Sequence, residues 1–386
     1  MVTGITAYKG GHHMYYNTAY VGMDVHKESF TLRYFTVEMD EPSAPVKIPA
    51  NYKLVLKYLD SIRNHLKDDI RIVCGYEAGC LGYSLYHQLT EHNVECIILA
   101  PSTIPEPKGK NRIKTDNRDA GNIATCLAHR TYKPVHIPNE QDEQVKEFIR
   151  MRDDHKLALK KVKQQILAFC LRHDLRYEGT KNHWTAAHLQ WLHSLSLGSI
   201  NQEVLEEYLL TYRQLKDKLE RLDHRIEEMA TGDAYRENIR KLSCFIGIKT
   251  HIALSILTEV GDFKRFPTAK QFASYLGLVP GEHSSATNQN RLGITKTGNR
   301  HIRMLLIEAA QRYGRGQVGY KSKALKARQD GNIPMVIAYA DKANERLRRR
   351  YYRMVLRNNK KANVAKTAIA RELACFIWGM MTLKTA

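Results

Sequence analysis

The sequence predicts an α/β domain followed by a longer, mainly helical remainder. Three observations point there. Short, β-rich, alternating runs are confined to the N-terminal third. Between about residues 141 and 230 strand signals vanish, and apolar residues step by three and four. Beyond 242 helical runs are broken by Gly and Pro, and the chain ends in a basic stretch.

Taken in order, residues 1–17 read as a poorly ordered extension. YVGMDV (20–25) alternates as a strand, and FTLRYFTVEM (30–39) supplies one or two more before a break at Glu41-Pro42. In 51–66, Leu54, Leu56, Tyr58, Leu59, Ile62 and Leu66 recur at mostly helical spacing. IRIVCGYE (70–77) is a buried strand, LGYSLYHQLTEH (81–92) a helix and VECIILAP (94–101) a strand, with another helix opening near Asp116. The order β-β-β-α-β-α-β suits a mixed sheet with helices packed on its faces.

The middle carries a seam. Leu205, Tyr208, Tyr212, Leu215, Leu219, Leu222, Ile226 and Met229 step alternately by three and four, as a coiled-coil heptad does. Leu159, Val162, Ile166 and Phe169 do the same earlier, with His183-Trp184 and Leu195–Gly198 between. Two long helices follow, and an intramolecular bundle and a dimerising coiled coil both fit. Further on, LSCFIGIKTHIALSILTEVGDFKRF reads as two short helices around Gly247 and TAKQFASYLGLVPG as a helix stopped at Gly277. EHSSATNQNRLG (282–293) reads as a polar loop and NRHIRMLLIEAAQRY as a helix from about Asn299. A final amphipathic helix covers 363–382. The resulting division is a flexible extension (1–17), the α/β domain (18–140), a helical coiled-coil region (141–238) and a C-terminal domain with a basic helical tail (239–386).

Composition narrows the function classes. The 386 residues include 60 Lys+Arg against 40 Asp+Glu, a formal charge of +20, and 43% are hydrophobic, enough for a core. No apolar stretch approaches the roughly 18 residues of a membrane span, and the N-terminus lacks the apolar segment of a secretory signal. Seven scattered cysteines without a C-x-x-C pair support neither a disulfide framework nor a Cys-type zinc site. A reduced, cytoplasmic, nucleoid-associated protein is expected. From Ala286 onward there are 22 Lys+Arg and 5 Asp+Glu. A field of that sign attracts a polyanion, and the interleaved Tyr313, Tyr320, Tyr339, Tyr351 and Tyr352 suit base stacking. The Arg348-Arg349-Arg350 run is a candidate nucleic-acid contact.

Four carboxylates stand out. Asp24 lies within an apolar strand, Glu77 ends a second one, and Asp116 and Asp119 share a face at the start of a helix. Carboxylates in apolar strands are costly to desolvate. Grouping them around Mg²⁺ or Mn²⁺ offsets that cost, and two such ions can clamp the attacking and leaving oxygens of a phosphodiester. Singly, each has a bland reading, such as an N-cap or a strand end.

VGMDVHK, GYEAG and KTDNRDA together resemble the N-terminal domain of the DEDD insertion-sequence transposases, which is itself similar to the RuvC Holliday-junction resolvase, an RNase H-like fold. The resemblance puts the family's acidic tetrad on Asp24, Glu77, Asp116 and Asp119, with Lys114 upstream where it could meet a phosphate. His26 suits a metal, phosphate or structural role. YLGLVPGEHSSATNQNRLGITKTGNRHIRMLLIEAA (275–310) resembles the C-terminal domain of the same family. Gly277, Pro280, Gly293, Lys296, Gly298, Asn299 and Arg303 fill its pattern. The family's serine precedes a glycine, and here the corresponding pair is Ser285-Ala286. Ser285 is therefore assigned as nucleophile, with Ser284 as the alternative.

A serine alkoxide attacking DNA phosphate would keep the bond energy in a phosphoserine linkage. Lys296, Arg300 and Arg303 would neutralise transition-state charge, and the helix start near Asn299 offers N–H groups to a phosphate. The segment around Gly247-Ile248-Lys249 resembles a helix-hairpin-helix lacking its second glycine, with Lys249 as a phosphate contact or the whole as scaffold. The resemblance implies a DNA recombinase that mobilises an insertion sequence, a structured non-coding bridge RNA pairing with donor and target DNA, and dimers that pair into a tetramer. The rival readings are a metal-dependent, structure-selective nuclease of the Holliday-junction resolvase kind and a non-catalytic nucleic-acid-binding protein.

Overall fold

The computed structural model describes residues 18–66, 69–79, 81–101, 104, 116–179, 182–285 and 288–382, with the side chains of 116–117 and 282–291 outside that description. The expected extension 1–17 and Lys114 lie outside the described residues. The chain forms two compact units that divide between Ile137 and Pro138.

The first unit is built on a five-stranded sheet. Its strands are β1 (Thr18–Val25), β2 (Ser29–Phe35), β3 (Val46–Pro49), β4 (Arg71–Glu77) and β5 (Glu95–Leu99), in the order β3-β2-β1-β4-β5. β2 runs antiparallel to both β1 and β3, and β4 and β5 run parallel to β1. β1 lies at the centre, and its first six residues are all buried. It therefore reads as a nearly continuous apolar run, as strands covered on both faces do.

Helices α1 (Tyr52–His65) and α2 (Ser84–Glu91) cover one face, where Met23, Leu32, Leu59, Tyr76 and Leu89 form the core. Asn51 starts α1 by accepting from the Lys53 N–H at 2.9 Å. Helix α3 (Asp116–His129) covers the other face, packing Ile123, Cys126 and Leu127 on Tyr20, Val73 and Leu99.

The third strand is not within 30–39, where the sequence pattern put it. The chain turns after Phe35 and returns as β3, beyond the Glu41-Pro42 break. Arg33 fixes this turn by donating to the carbonyls of Ser43 (2.6 Å) and Pro42 (2.7 Å). β3 is a four-residue edge strand with mostly exposed positions, too short to show alternation.

The second unit opens with a helical hairpin. Helix α4 (Glu140–Arg172) pairs antiparallel with α6 (Ser199–Ala230), and α5 (Ala186–Ser194) sits at the tip. Val145 and Ile149 share a core with Ile226 and Ala230 at the base. Arg152 is bidentate to Asp223 (2.7 and 3.0 Å) midway. Val162, Ile166 and Phe169 meet Leu205, Leu209 and Tyr212 near the tip. The heptad seam thus faces its own chain, the intramolecular alternative of the two the sequence left open.

Helices α7 (Asp233–Leu242), α8 (Thr250–Val260), α9 (Ala269–Tyr275), α10 (Arg300–Ala310), α11 (Lys323–Gln329), α12 (Pro334–Tyr352) and α13 (Ala362–Thr382) complete the unit. α13 lies deep in it, with Ile369, Leu373 and Ile377 fully buried. Among the described residues no helix is long and apolar enough to cross a membrane. Residues 282–293 are not a loop: β6 (Pro280–Ser285) and β7 (Asn288–Ile294) form an antiparallel hairpin with a register shift between Pro280 and Glu282. The polar composition hid it because a two-stranded ribbon need not bury an alternating apolar face.

Candidate functional site

The acidic positions converge through the sheet register. β1 and β4 pair in parallel, Gly22 opposite Gly75 and Met23 opposite Tyr76, so Asp24 and Glu77 follow at neighbouring carboxyl ends. Side chains alternate along a strand, and Met23 and Tyr76 are buried on the α1/α2 face. Asp24 and Glu77 therefore belong to the α3 face. There α3 comes so close that a Cβ on Gly22 would lie 2.0 Å from the Ala120 carbonyl oxygen. Only glycine permits that approach, and it brings half-buried Asp119 to the side of the sheet that bears Asp24. Asp116 is the first residue of the same helix.

The Asp24 side chain is 17% exposed, and the Nε2 of His26 stands 3.0 Å from its Oδ2. Glu77 is exposed. Oxygen donors of this kind suit a hard divalent cation. Among the described residues, however, no three His, Cys, Asp or Glu side chains are gathered closely enough to hold one. The donor chemistry fits a cation, and Asp24 and Glu77 share the face that would present it, with the Asp116 side chain outside the described residues.

In the second unit, Ser284 pairs with Gln289 and Ser285 with Asn288, at the end of the β6–β7 hairpin. The base of the hairpin is tied down tightly. The Lys296 N–H donates to the Gly277 carbonyl (3.1 Å) and the Asn299 N–H to the Tyr275 carbonyl (3.0 Å). Gly277 and Gly298 both have positive φ (63° and 73°). A Cβ on Gly277 would lie 2.2 Å from the Thr297 oxygen, and one on Gly298 1.9 Å from the Tyr275 oxygen. The two glycines thus interlock the segments entering and leaving the ribbon.

Arg303 is 8% exposed and donates through Nη1 to the carbonyls of Leu276 (2.8 Å) and Thr297 (3.0 Å). Burial, and then the charge of Arg300, lower its pKa. Its contacts position the hairpin base, whereas Lys296 and Arg300 are exposed beside it.

A buried polar network that the sequence did not announce supports this base. Asn299 caps α10 by accepting from the Ile302 N–H (3.0 Å) and donates to Glu259 Oε2 (2.8 Å). The Glu259 side chain, 4% exposed, also pairs with Arg150 at 2.9 Å. Close by, Asp153 meets Nε2 of His251 (3.1 Å) and of His301 (3.3 Å), and Arg152 at 3.0 Å. Burial alone would raise the Asp153 pKa, but the close approach of His251, His301 and Arg152 outweighs it and holds the carboxyl well below its usual range. The adjacency of His301 to the Gly298-Asn299 pair was the single available hint; Asp153 and His251 are remote in sequence.

The basic residues divide by position. Lys249 is the exposed N-cap residue of α8. Arg348 is 7% exposed, and its Nη1 donates to the carbonyls of Gln317 (2.6 Å) and Tyr320 (3.0 Å). Arg349 is exposed and pairs with Glu345 one turn back, and Arg350 reaches Glu372 on α13. Successive helix positions point in different directions, so one run of three arginines does three different things.

Comparison with known proteins finds two matching family models and several relatives. A family model described as Transposase IS116/IS110/IS902 family matches residues 240–323, and a transposase model of the IS110 DEDD type matches residues 21–173. The transposase for insertion sequence element IS1533 of Leptospira borgpetersenii is 32% identical over 338 residues, covering 86% of this chain and 95% of the relative. The y4qE protein of Sinorhizobium fredii is 36% identical over 306 residues, 79% of this chain and 74% of that one.

Proposed function

Because the chain belongs to the IS110 family of insertion-sequence transposases, we propose that it cuts and exchanges DNA strands with Ser285 as nucleophile and Asp24, Glu77, Asp116 and Asp119 as the acidic set. The observation that carries this is the β1/β4 register, which sets Asp24 and Glu77 on neighbouring strand ends facing α3. The strand order β3-β2-β1-β4-β5 supports an RNase H-like, RuvC-like reading of the first unit. The four carboxylates would hold Mg²⁺ or Mn²⁺, which when bound would polarise a phosphoryl oxygen and favour the ionised attacking oxygen.

The protein's own part is as follows. Ser285 Oγ forms a bond to phosphorus while a P–O bond of the strand breaks, and the released hydroxyl takes up the proton. Reversal by a hydroxyl of another strand restores a phosphodiester, so the bond energy is retained. Lys296 and Arg300 would meet the developing charge, with Arg303 holding the hairpin base on which they sit. Lys114, Lys249 and the Arg348–Arg350 run would contribute to the nucleic-acid surface, Arg348 chiefly by holding the 317–320 segment.

Donor and target DNA are the proposed substrates, and a structured bridge RNA the proposed guide. The large basic surplus leaves room for both. A homodimer, pairing into a tetramer, is proposed as the working state in the cytoplasm at the nucleoid. Since the heptad seam of α6 is covered by α4, subunit contacts on the hairpin would use other positions.

The test is a nicked substrate that traps covalent protein–DNA adducts, run with Ser285→Ala, Ser284→Ala and Asp24→Asn. Loss of the adduct and of strand exchange in Ser285→Ala alone among the serines is expected. Hydrolytic cutting that survives in Ser285→Ala without any adduct in the wild type would replace this reading with a metal-dependent nuclease. The separate compactness of the acidic unit makes that the second reading to test.

A further inference from the structure

The second unit contains a cleft of about 750 Å³. One wall is the turn before α8, with Gly247 and Lys249. Another is the segment joining α10 to α11, with Arg312, Arg315 and Tyr320, and Arg348 also lines it. The opposite wall holds Arg152 and Lys156, already paired with Asp223 and Glu308, and Glu227.

Three features ask for an anion. Lys249, Arg312 and Arg315 are exposed, and among the described residues no side-chain hydrogen bond or ion pair engages them. Helix α8 begins here without a capping side chain, leaving its first N–H groups to solvent or a ligand. Most tellingly, Arg348 is only 7% exposed, and its Nε has no hydrogen-bond partner although Nη1 has two. A buried guanidinium N–H without an acceptor is unfavourable unless an acceptor arrives.

We propose that this cleft holds the sugar–phosphate backbone of a single nucleic-acid strand, one or two nucleotides at a time, with Lys249, Arg312, Arg315 and Arg348 on its phosphates. The volume falls in the range of about 300–1,000 Å³ typical of small-ligand sites, which suits a short length of strand and not a duplex. Tyr320, 61% exposed at the rim, offers a ring to a base. A free phosphate would leave Arg312, Arg315 and Tyr320 without a task. The inference rests on the reading of the chain as a strand-handling protein, but not on Ser285 or the carboxylates. A strand parted from its duplex during exchange is the natural occupant.

The experiment uses the full chain carrying Ser285→Ala, so that no strand is cut. Fluorescence anisotropy follows labelled oligodeoxynucleotide and oligoribonucleotide strands of about 12 nucleotides, within ordinary single-strand site sizes, and the matching duplex, across salt concentrations. Adding Lys249→Gln, Arg312→Gln and Arg315→Gln together should weaken single-strand binding at least about tenfold. It should also flatten the salt dependence by about 2, at roughly 0.7 for each phosphate no longer neutralised. Tyr320→Ala should weaken it about fivefold or more. Weaker binding of both strand types means that the backbone alone is read; weaker binding of one identifies the strand. Unchanged single-strand affinity and salt slope in a variant that melts like its parent would overturn the proposal, as would an equal weakening on the duplex. Failure of the serine reading would show instead in the adduct assay and leave these binding results standing.

Discussion

The closeness of α3 to β1 can be tested with two glycines on the same face. At Gly22 an added Cβ would lie 2.0 Å from the Ala120 carbonyl oxygen and 2.4 Å from the Ala124 nitrogen, both helix backbone. At Gly75 it would lie 2.9 Å from the methyl ends of Leu127 and Leu99. Methyl ends can rotate aside, but a helix backbone must retreat bodily. Retreat by about 1 Å would forfeit a quarter to a half of the dispersion attraction across the interface, where Ile123, Cys126 and Leu127 pack on the sheet. Gly22→Ala should therefore cost about 3 kcal/mol, the upper end of overpacking penalties, and Gly75→Ala about 1 kcal/mol.

Tryptophan emission cannot report this, because Trp184, Trp191 and Trp378 all lie in the second unit. Amide hydrogen exchange read by mass spectrometry on β1 and β4 can. Global-opening exchange should accelerate about 100-fold in Gly22→Ala and about fivefold in Gly75→Ala. Because Asp116 and Asp119 ride on α3, Gly22→Ala should also impair the proposed strand cutting more than Gly75→Ala does. Equal loss of protection in the two variants would refute the claim that backbone contact sets the α3 position.

Three further outcomes follow from the second unit. Asn344, 5% exposed, accepts from the Ile246 N–H and the Tyr313 hydroxyl, both at 2.9 Å; Asn344→Leu orphans both donors and should destabilise the unit by about 2–5 kcal/mol in urea unfolding followed by tryptophan emission. Arg348→Ala should lower the melting temperature clearly, whereas Arg349→Ala, an exposed i,i+4 partner of Glu345, should shift stability by less than about 0.5 kcal/mol. At the hairpin tip, His188 is fully buried among Tyr177, His183, Trp184 and Trp191, with Lys163 beyond Trp184, and its Nδ1 accepts from the Trp184 N–H at 3.2 Å. Burial, then the neighbouring His183, lower its pKa. The neutral form is the folded form, so this stability is complete above the unfolded value of about 6.5 and is lost as pH falls through the lower folded value. Exchange at 182–194 should rise on acidification, and a His188→Gln variant should lose that pH dependence.

Much of the first unit could be read from the sequence because burial on both faces leaves a strong mark. YVGMDV and IRIVCGYE are apolar runs of strand length, and the helix between them, α1, carries a clear cap and spacing. β3 could not be read, because an exposed four-residue edge strand has neither alternation nor an apolar run, and Arg33 fixes its turn through hydrogen bonds nine and ten residues away. The seam of α6 was plain in the sequence, but its partner was not. A heptad says that a helix faces something apolar, and the Arg152–Asp223 pair, 71 residues apart, decides that the partner is α4 of the same chain. The half-buried Asp153–His251–His301 cluster was invisible for the same reason: its members share no local pattern.

The motif running from Gly277 to Arg303 shows how one stretch of sequence can mix two kinds of constraint. Gly277, Gly298, Asn299 and Arg303 are held by backbone contact, positive φ or buried hydrogen bonds, and these alone would fix their identities in a protein with no chemistry at all. Lys296 and Arg300 are exposed, and nothing in the packing demands a cation at either position. Lys296 even adopts φ 57°, a conformation unfavourable to a long side chain. Packing gives no reason for a lysine where a glycine would relax the backbone. That asymmetry within a single motif is the strongest physical argument that the β6–β7 hairpin base addresses a phosphate. It also separates the positions whose substitution should unfold the base from those whose substitution should leave it intact and weaken the proposed hold on DNA.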